Sequence, residues 1–487
     1  MTRTSSPPCR GGVPAQPAGW CALAIVVMLA GCAVGPDYRR PDAEVTPAYK
    51  EAGEWNVAQP RDALDRGRWW DVFGDRQLDA LVERVEVSNQ NVRVLEARFR
   101  QAQALVTSSR SAYFPTLEAD VSLTRSRSPT GVIGGTTAGR VITNRSASLN
   151  SAWEADLWGR LRRTVEAVEA NAQASAADLA AARLSVQAEL AANYFQLRAL
   201  DAQRQLLDDT VAAFGKSLEL TRNRYAAGVA AKVDVVQGET QLKSTQAQAI
   251  DLGVQRAQLE HAIAVLIGRP PAGLSIAPLP LSATLPRIPP GLPSELLERR
   301  PDIAAGERRV AAANAQIGAA KAAYFPSLTL SASYGSRSAD AAQWLTAPAR
   351  FWSIGPALAQ SIFDAGLRRA QTEQAIAAYD ATVAEYRQAV LAGFQEVEDN
   401  LAALRILEEE AKVQEDAVRA ARESVELTLN QYKAGTVSYI NVVTVQTTQL
   451  NNERAAVGIL GRRLVAAVGL VKALGGGWSA SELAVGR

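Results

Sequence analysis

The sequence predicts an α+β membrane protein in which one folding unit of about 200 residues, far longer than a solenoid repeat, occurs twice in tandem. Three observations predict it. Landmarks recur: Tyr113-Phe114-Pro115-Thr116-Leu117 returns as Tyr324-Phe325-Pro326-Ser327-Leu328, and Tyr225-Ala226-Ala227-Gly228 returns as Tyr432-Lys433-Ala434-Gly435. Val233-Asp234-Val235-Val236 likewise returns as Ile440-Asn441-Val442-Val443. Each half carries two alternating segments of strand type, and each carries one helical pattern far longer than an ordinary globular helix.

Residues 1–31 read as a signal peptide. Arg3 and Arg10 are its only charges, and the apolar run from Trp20 to Ala30 is too short for a bilayer but suits a secretory core. Leu29-Ala30-Gly31-Cys32 resembles the lipobox of bacterial lipoproteins, where cleavage falls before the cysteine, so Cys32 is the expected lipidation site. Losing two arginines from the 52 basic residues balances the 50 acidic ones. A neutral chain has no electrostatic footprint for nucleic acid. With Cys9 and Cys21 removed and Cys32 modified, no disulfide framework is left.

Residues 32–74 are polar and proline-bearing and read as an extended segment lying against the body. The first copy, 75–267, opens with helical periodicity from Asp75 to Ala112. A hairpin at about 113–158 follows, with a Gly/Ser/Thr-rich loop near 128–142. In it Leu117, Ala119, Val121 and Leu123 alternate with Glu118, Asp120, Ser122 and Thr124, and Leu149, Trp153 and Leu157 oppose Asn150, Glu154 and Asp156. Helices are expected at about 160–227 and 232–267. After a proline-dense linker, 268–293, the second copy covers 294–475 with helices at 294–323, 366–433 and 438–474 and a hairpin at about 324–364. Residues 476–487 form a tail.

The long helices carry seams at spacings of three and four: Leu190, Tyr194, Leu197, Leu200, Leu207, Val211, Phe214, Leu218 and Tyr225 in one copy, Val397, Leu401, Leu404, Leu407, Val418, Val425 and Tyr432 in the other. Each would be roughly 100 Å long, matched by its two shorter neighbours laid end to end. The strands, about ten to twelve residues each, suffice to cross a membrane at a tilt. Aromatics near their ends (Tyr113, Phe114, Trp158, Tyr324, Phe325, Trp344, Phe351) suit an interfacial girdle. The competing reading is a pair of soluble hairpins with their apolar faces packed on helices. Four strands cannot close a membrane barrel, which needs about eight, so the membrane reading requires an oligomer, whether dimer, trimer or tetramer.

No catalytic constellation, P-loop or Cys/His metal spacing is found, and no cofactor is expected. The single histidine, His261, reads as structural.

Leu292-Pro293-Ser294-Glu295-Leu296-Leu297-Glu298-Arg299-Arg300-Pro301-Asp302-Ile303 resembles the signature of the outer-membrane efflux factors, the TolC/OprM-like family. Ala313-Asn314-Ala315-Gln316-Ile317-Gly318-Ala319-Ala320, Trp69-Trp70-Asp71-Val72-Phe73 and Asn89-Gln90-Asn91 are similar to further family segments. Cys32-Ala33-Val34-Gly35-Pro36-Asp37-Tyr38 resembles its lipid-anchored branch. The resemblance implies a homotrimer with a twelve-stranded barrel, four strands per chain, continuous with a long periplasmic coiled-coil barrel. It also implies a passive exit duct for drugs and toxic compounds, joined to an inner-membrane pump by a periplasmic adaptor. A type I protein secretion duct and a non-conducting lipoprotein stalk are the alternatives.

Two candidate sites follow. Glu118, Asp120, Glu154 and Asp156 either line the lumen as carboxylate rings or pair with Arg160, Arg162 and Arg163 at the junction of strand and helix. The helix turns, with Tyr225, Gly228 and Asp234 in one copy and Tyr432, Gly435, Val437, Asn441 and Thr444 in the other, form the expected periplasmic tip and gate. The family often places an arginine and aspartates in the second turn. Here Val437, Asn441 and Thr444 stand there, so closure by packing and neutral hydrogen bonds around Tyr432, Val437 and Asn441 is expected.

Overall fold

The computed structural model describes residues 34–52, 68–127, 141–281, 285–286, 288 and 293–485. Cys32, the signal segment and residues 128–140 of the strand-connecting loop lie outside the described residues. The chain divides into two compact units. One comprises the N-terminal stretch to Tyr38 with residues 106–168 and 312–379; the other comprises residues 39–105, 169–311 and 380–487. Both copies of the repeat contribute to each.

The first unit holds the sheet. Strands β1 (Thr116–Arg127), β2 (Val141–Ala155), β3 (Ser327–Ser338) and β4 (Arg350–Ala359) pair antiparallel in the order β1-β2-β3-β4. The two hairpins are therefore not separate. β2 pairs with β3 across the copies, Leu149 opposite Tyr334 and Trp153 opposite Leu330. β2 is longer than expected at 15 residues and serves a ladder on each edge. The N-terminal stretch is tied to this unit by Val34 N–H on the Trp158 carbonyl (3.1 Å), Asn314 Nδ2 on the Pro36 carbonyl (3.0 Å) and Arg163 on Asp37 (2.8 Å).

The helices are α1 (Arg76–Ser88), α2 (Gln90–Ser111), α3 (Arg160–Ala226), α4 (Lys232–Leu266), α5 (Leu296–Arg299), α6 (Pro301–Ala322), α7 (Leu367–Ala434) and α8 (Tyr439–Ala473). The long ones, α3 and α7, run 67 and 68 residues, close to their expected bounds. Among the described residues no helix is long and apolar enough to cross a membrane. Most seam positions are buried; Tyr225 is instead exposed, as is His261, which is no core residue.

The opening helix of each copy differs from expectation because it breaks. Asn89 ends α1 in extended backbone, and its Oδ1 accepts from Val92 N–H to start α2. In the second copy Pro301 has no N–H and excludes helical backbone at Arg300 before it. Each break receives the end of the copy's last helix. Asn89 Nδ2 and Ser88 Oγ donate to the Leu266 and Ile267 carbonyls (2.7 and 2.6 Å), and Arg300 Nη1 donates to that of Ala473 (3.2 Å). Gly268 and Gly475 close the same contact. A Cβ at either would lie 2.1 Å from the Ser88 or Arg299 carbonyl oxygen, and both have positive φ, so only glycine fits.

The core of the second unit collects Trp69, Leu78, Val82, Val85, Tyr194, Phe195 and Ile263, all buried. Asp75 caps α1 through the Gln77 and Leu78 amides and also accepts from Tyr194 Oη at 2.7 Å. The proline-rich linker is pinned by a buried charge network. Asp201 binds Arg198 and Arg256, each at 2.7 Å, and those guanidiniums donate to the carbonyls of Ala277 and Ile276. Asp201 and Arg198 are almost wholly buried. Neutralising Asp201 takes the carboxylate from the buried Arg198, whereas Arg256 keeps its pair with Glu260 at 2.7 Å. Asp201→Asn is expected to cost about 3–5 kcal/mol in chemical denaturation. Asp208→Asn, which removes an exposed pair with Arg204, is expected to cost about 0–1 kcal/mol.

Candidate functional site

Residues directly opposite one another in an antiparallel ladder share a face. The register therefore assembles one continuous apolar face: Leu117, Val121 and Leu123 on β1, Leu149 and Trp153 on β2, Leu330 and Tyr334 on β3, Trp352, Ile354 and Leu358 on β4. This face is open to the surroundings in the single chain, with Val121 75% and Ile354 76% exposed. That overturns the reading of soluble hairpins packed on helices. The other face is lined by Ser122, Ser148, Ser331, Ser333 and Ser353, with Glu118, Asp120 and Glu154 toward the helix-connected end. Phe351 lies on this polar face under Arg337, 5.1 Å from its ring centroid, and so is not part of an apolar-face girdle. Trp158 and Phe325 stack at 4.8 Å where strands meet helices.

The four carboxylates separate into two kinds. Glu118 and Asp120 stand on the polar face, Asp120 accepting from Asn150 Nδ2 at 2.6 Å. Glu154 is engaged by both Nε and Nη2 of Arg160 (3.1 and 2.7 Å), a two-pronged ion pair. Asp156 lies beyond the end of β2, and its carboxylate oxygens accept from the Leu161 and Arg162 amides (3.1 and 2.8 Å), capping α3. Of the two expected arrangements, Glu154 takes the arginine pairing, through Arg160 alone, and Asp156 caps the helix, while Glu118 and Asp120 keep clear of the junction arginines. Arg163 turns instead to Asp37 and Glu166.

The two turns are built alike. Gly228 and Gly435, both with positive φ, donate to the Tyr225 and Tyr432 carbonyls, and Val229 and Thr436 reach back to those of Arg224 and Gln431. Beyond the turns the copies diverge. Tyr432, Tyr439 and Val442 form a buried cluster, with Val437 packed on it. The two tyrosine rings lie 5.4 Å apart, and their hydroxyls reach Thr221 and Ser217 of α3 (3.3 and 3.5 Å). Burial raises the Tyr439 phenol above its usual pKa, keeping it neutral. Asp234 accepts from the Ala231 amide at 3.3 Å and so caps its own helix. Asn441 and Thr444 are exposed on α8, outside the cluster, and Thr444 Oγ1 donates to the Ile440 carbonyl. Tyr225 is exposed beneath Lys232.

Within the chain, a cation also holds the joint between the two turns. Arg224 Nη1 donates to the carbonyls of Tyr432 and Lys433 (2.8 and 3.1 Å) at the negative end of α7, and its guanidinium lies 4.7 Å from the Tyr432 ring centroid. Arg224 and Tyr439 were not singled out from sequence. A signal existed: Arg224 stands where the repeat offset places Gln431 in the other copy.

A transmembrane-type sheet whose apolar face is exposed among the described residues, and paired helices ending in matched turns, define a membrane channel. A family model for outer membrane efflux proteins matches residues 81–269 and 292–476, and the chain belongs to that family. It is 33% identical over 456 residues to the toluene efflux pump outer membrane protein TtgC of Pseudomonas putida, spanning 93% of this chain and 94% of that one. It is 33% identical over 454 residues to the pyoverdine export outer membrane protein OpmQ of Pseudomonas aeruginosa, spanning 91% and 95%. The solved structure of the outer-membrane channel OprN superposes with a TM-score of 0.85 at 32% identity, covering 92% of this chain and all of that one. The protein is an outer-membrane efflux channel.

Removing the Arg224 guanidinium deletes charge-assisted hydrogen bonds worth about 1.5–3 kcal/mol. Arg224→Leu is expected to speed amide hydrogen exchange over residues 427–436 by roughly tenfold or more, whereas Asn441→Ala should leave that segment unchanged. Mass-spectrometric exchange on the two variants checks both.

Proposed function

We propose that this channel is the exit duct of a tripartite efflux system, working as a homotrimer whose three sheets close into a twelve-stranded barrel. The observation that carries this reading is the sheet itself. Among the described residues of one chain its apolar face has no cover, and β1 and β4 are its outermost strands. Each backbone group left unpaired in lipid costs several kcal/mol, and four strands are too few to close. Three copies give an even-numbered barrel with β1 beside β4 of the next chain. The apolar face then meets lipid, and the polar face lines the pore. Cys32 carries the acyl anchor. Among the tip residues, the Tyr432–Val437–Tyr439 cluster narrows the resting pore by packing, and Gly228, Asp234 and Gly435 shape the turns an adaptor meets.

Transport through the barrel is passive, with energy supplied by an inner-membrane pump through a periplasmic adaptor. The polar face presents small hydroxyls rather than a built ligand pocket, which suits a duct whose cargo is chosen upstream. Relatives named for toluene efflux and for pyoverdine export fit that division of labour. The cargo is small molecules of the drug and toxic-compound class.

Native mass spectrometry of the detergent-solubilised protein should give three acylated chains, and planar bilayers should record single-channel steps. A non-conducting monomer would leave the stalk reading standing. Within the conducting channel, Glu118→Gln with Asp120→Asn should move the reversal potential toward zero, because rings of open carboxylates favour cations. Glu154→Gln should move it less, since Arg160 already offsets that charge.

A further inference from the structure

The strands distribute charge by face and by height. Their three acids, Glu118, Asp120 and Glu154, all lie on the polar face. Of their five arginines only Arg337 does. The other four, Arg125 and Arg127 on β1, Arg145 on β2 and Arg350 on β4, share the apolar face and gather at its loop-connected end. Arg125 and Arg127 continue the line of Val121 and Leu123, two and four residues past Leu123, and Arg145 stands directly opposite Leu123. Arg350 stands opposite Ser336, two residues past Tyr334 on the same face. No carboxylate occupies that face on any of the four strands.

We propose that these four arginines form a binding surface for the phosphate groups of a phosphorylated glycolipid in the outer leaflet. The inference goes beyond the duct function and rests only on the sheet's placement in the outer membrane with its loop-connected end outward. Height supports it. At about 3.4 Å per residue and a tilt near 40°, Arg125 and Arg127 sit about 5 and 10 Å beyond the end of the apolar band on β1. That is the depth of lipid headgroups. Arg145, level with the band edge and half-buried, sends Nη1 to the Ala339 carbonyl at 3.0 Å. Ala339 follows Ser338, the residue paired with Arg145, so the side chain snorkels toward the loop end. Guanidinium groups match phosphate oxygens in pairs, and on this face of the strands no acid repels such an anion. A phospholipid with one phosphate engages fewer of these cations than a glycolipid bearing two.

The test uses the full detergent-solubilised protein with bisphosphorylated lipid A, its fully dephosphorylated form and phosphatidylglycerol as probes, read as retained adducts in native mass spectrometry. Wild type should retain the bisphosphorylated lipid at least about tenfold better than the dephosphorylated one, and better than phosphatidylglycerol. The combined Arg125→Ser, Arg127→Ser, Arg145→Ser and Arg350→Ser variant should lose that preference, and Arg337→Ser, on the opposite face, should keep it. Equal retention of the two lipid A forms by wild type overturns the proposal without any variant. So does a preference that survives in the fourfold variant or disappears equally in Arg337→Ser. The same spectra report the number of chains per particle, so loss of lipid preference in an intact assembly is distinguished from failure of the barrel.

Discussion

Unpaired backbone at the two outer strands is the constraint on which the rest of this structure depends. Within one chain every strand of the sheet has a partner on at least one side, but among the described residues β1 and β4 each keep one ladder edge without a neighbour. In water such an edge is a hazard to be blunted with charge or proline. In lipid it cannot exist, because nothing there replaces the missing hydrogen bonds. The chain does not blunt these edges by shortening them: β1 is twelve residues and β4 ten. An uncovered apolar face points the same way. Burial of that face and closure of those edges are one requirement met by one act, the assembly of several chains around a shared axis.

The second unit solves a different problem, that of holding long helices in register with few large side chains. Its answer is polar and repeated. Each copy breaks its opening helix and inserts the end of its closing helix there, with Ser88, Asn89 and Gly268 in one case and Arg300 and Gly475 in the other. The chemistry differs while the geometry persists. Asparagine breaks the first helix by hydrogen bonding, and proline breaks the second by lacking a donor. Around this frame the copies diverge in charge: Arg198 and Arg256 clamp the linker through Asp201, whereas Arg405, at the corresponding place, reaches Glu51 in the N-terminal segment.

Divergence is sharpest at the turns. Two copies with matched glycine-ended helices would make equivalent joints if their side chains agreed. Instead Arg224 of the first copy closes the negative end of α7, and Tyr432 and Tyr439 of the second pack over Ser217 and Thr221. The tip is thus a directional joint, with a donor on one helix pair and acceptors on the other. Asp234 could have served as a counter-charge there but is taken up by its own helix terminus.

Legible in the residues alone were the tandem repeat, the bounds of the four helices after the hairpins to within a few residues, the alternating faces of the strands and the family, but not the break in each opening helix. These are local or periodic properties: hydrophobic spacing of two or of three and four survives in any environment, and glycine and proline mark turns by their own stereochemistry. What the sequence did not contain was pairing over distance. It takes the folded chain to join β2 to β3, to set Asp156 on a helix start while Glu118 stays open, and to bring Arg224 to residues more than 200 positions away. A carboxylate in a strand pattern reads the same whether a helix amide or an arginine meets it or not. The difference lies in which donor the fold brings within hydrogen-bonding distance, and no single segment of the chain carries that information.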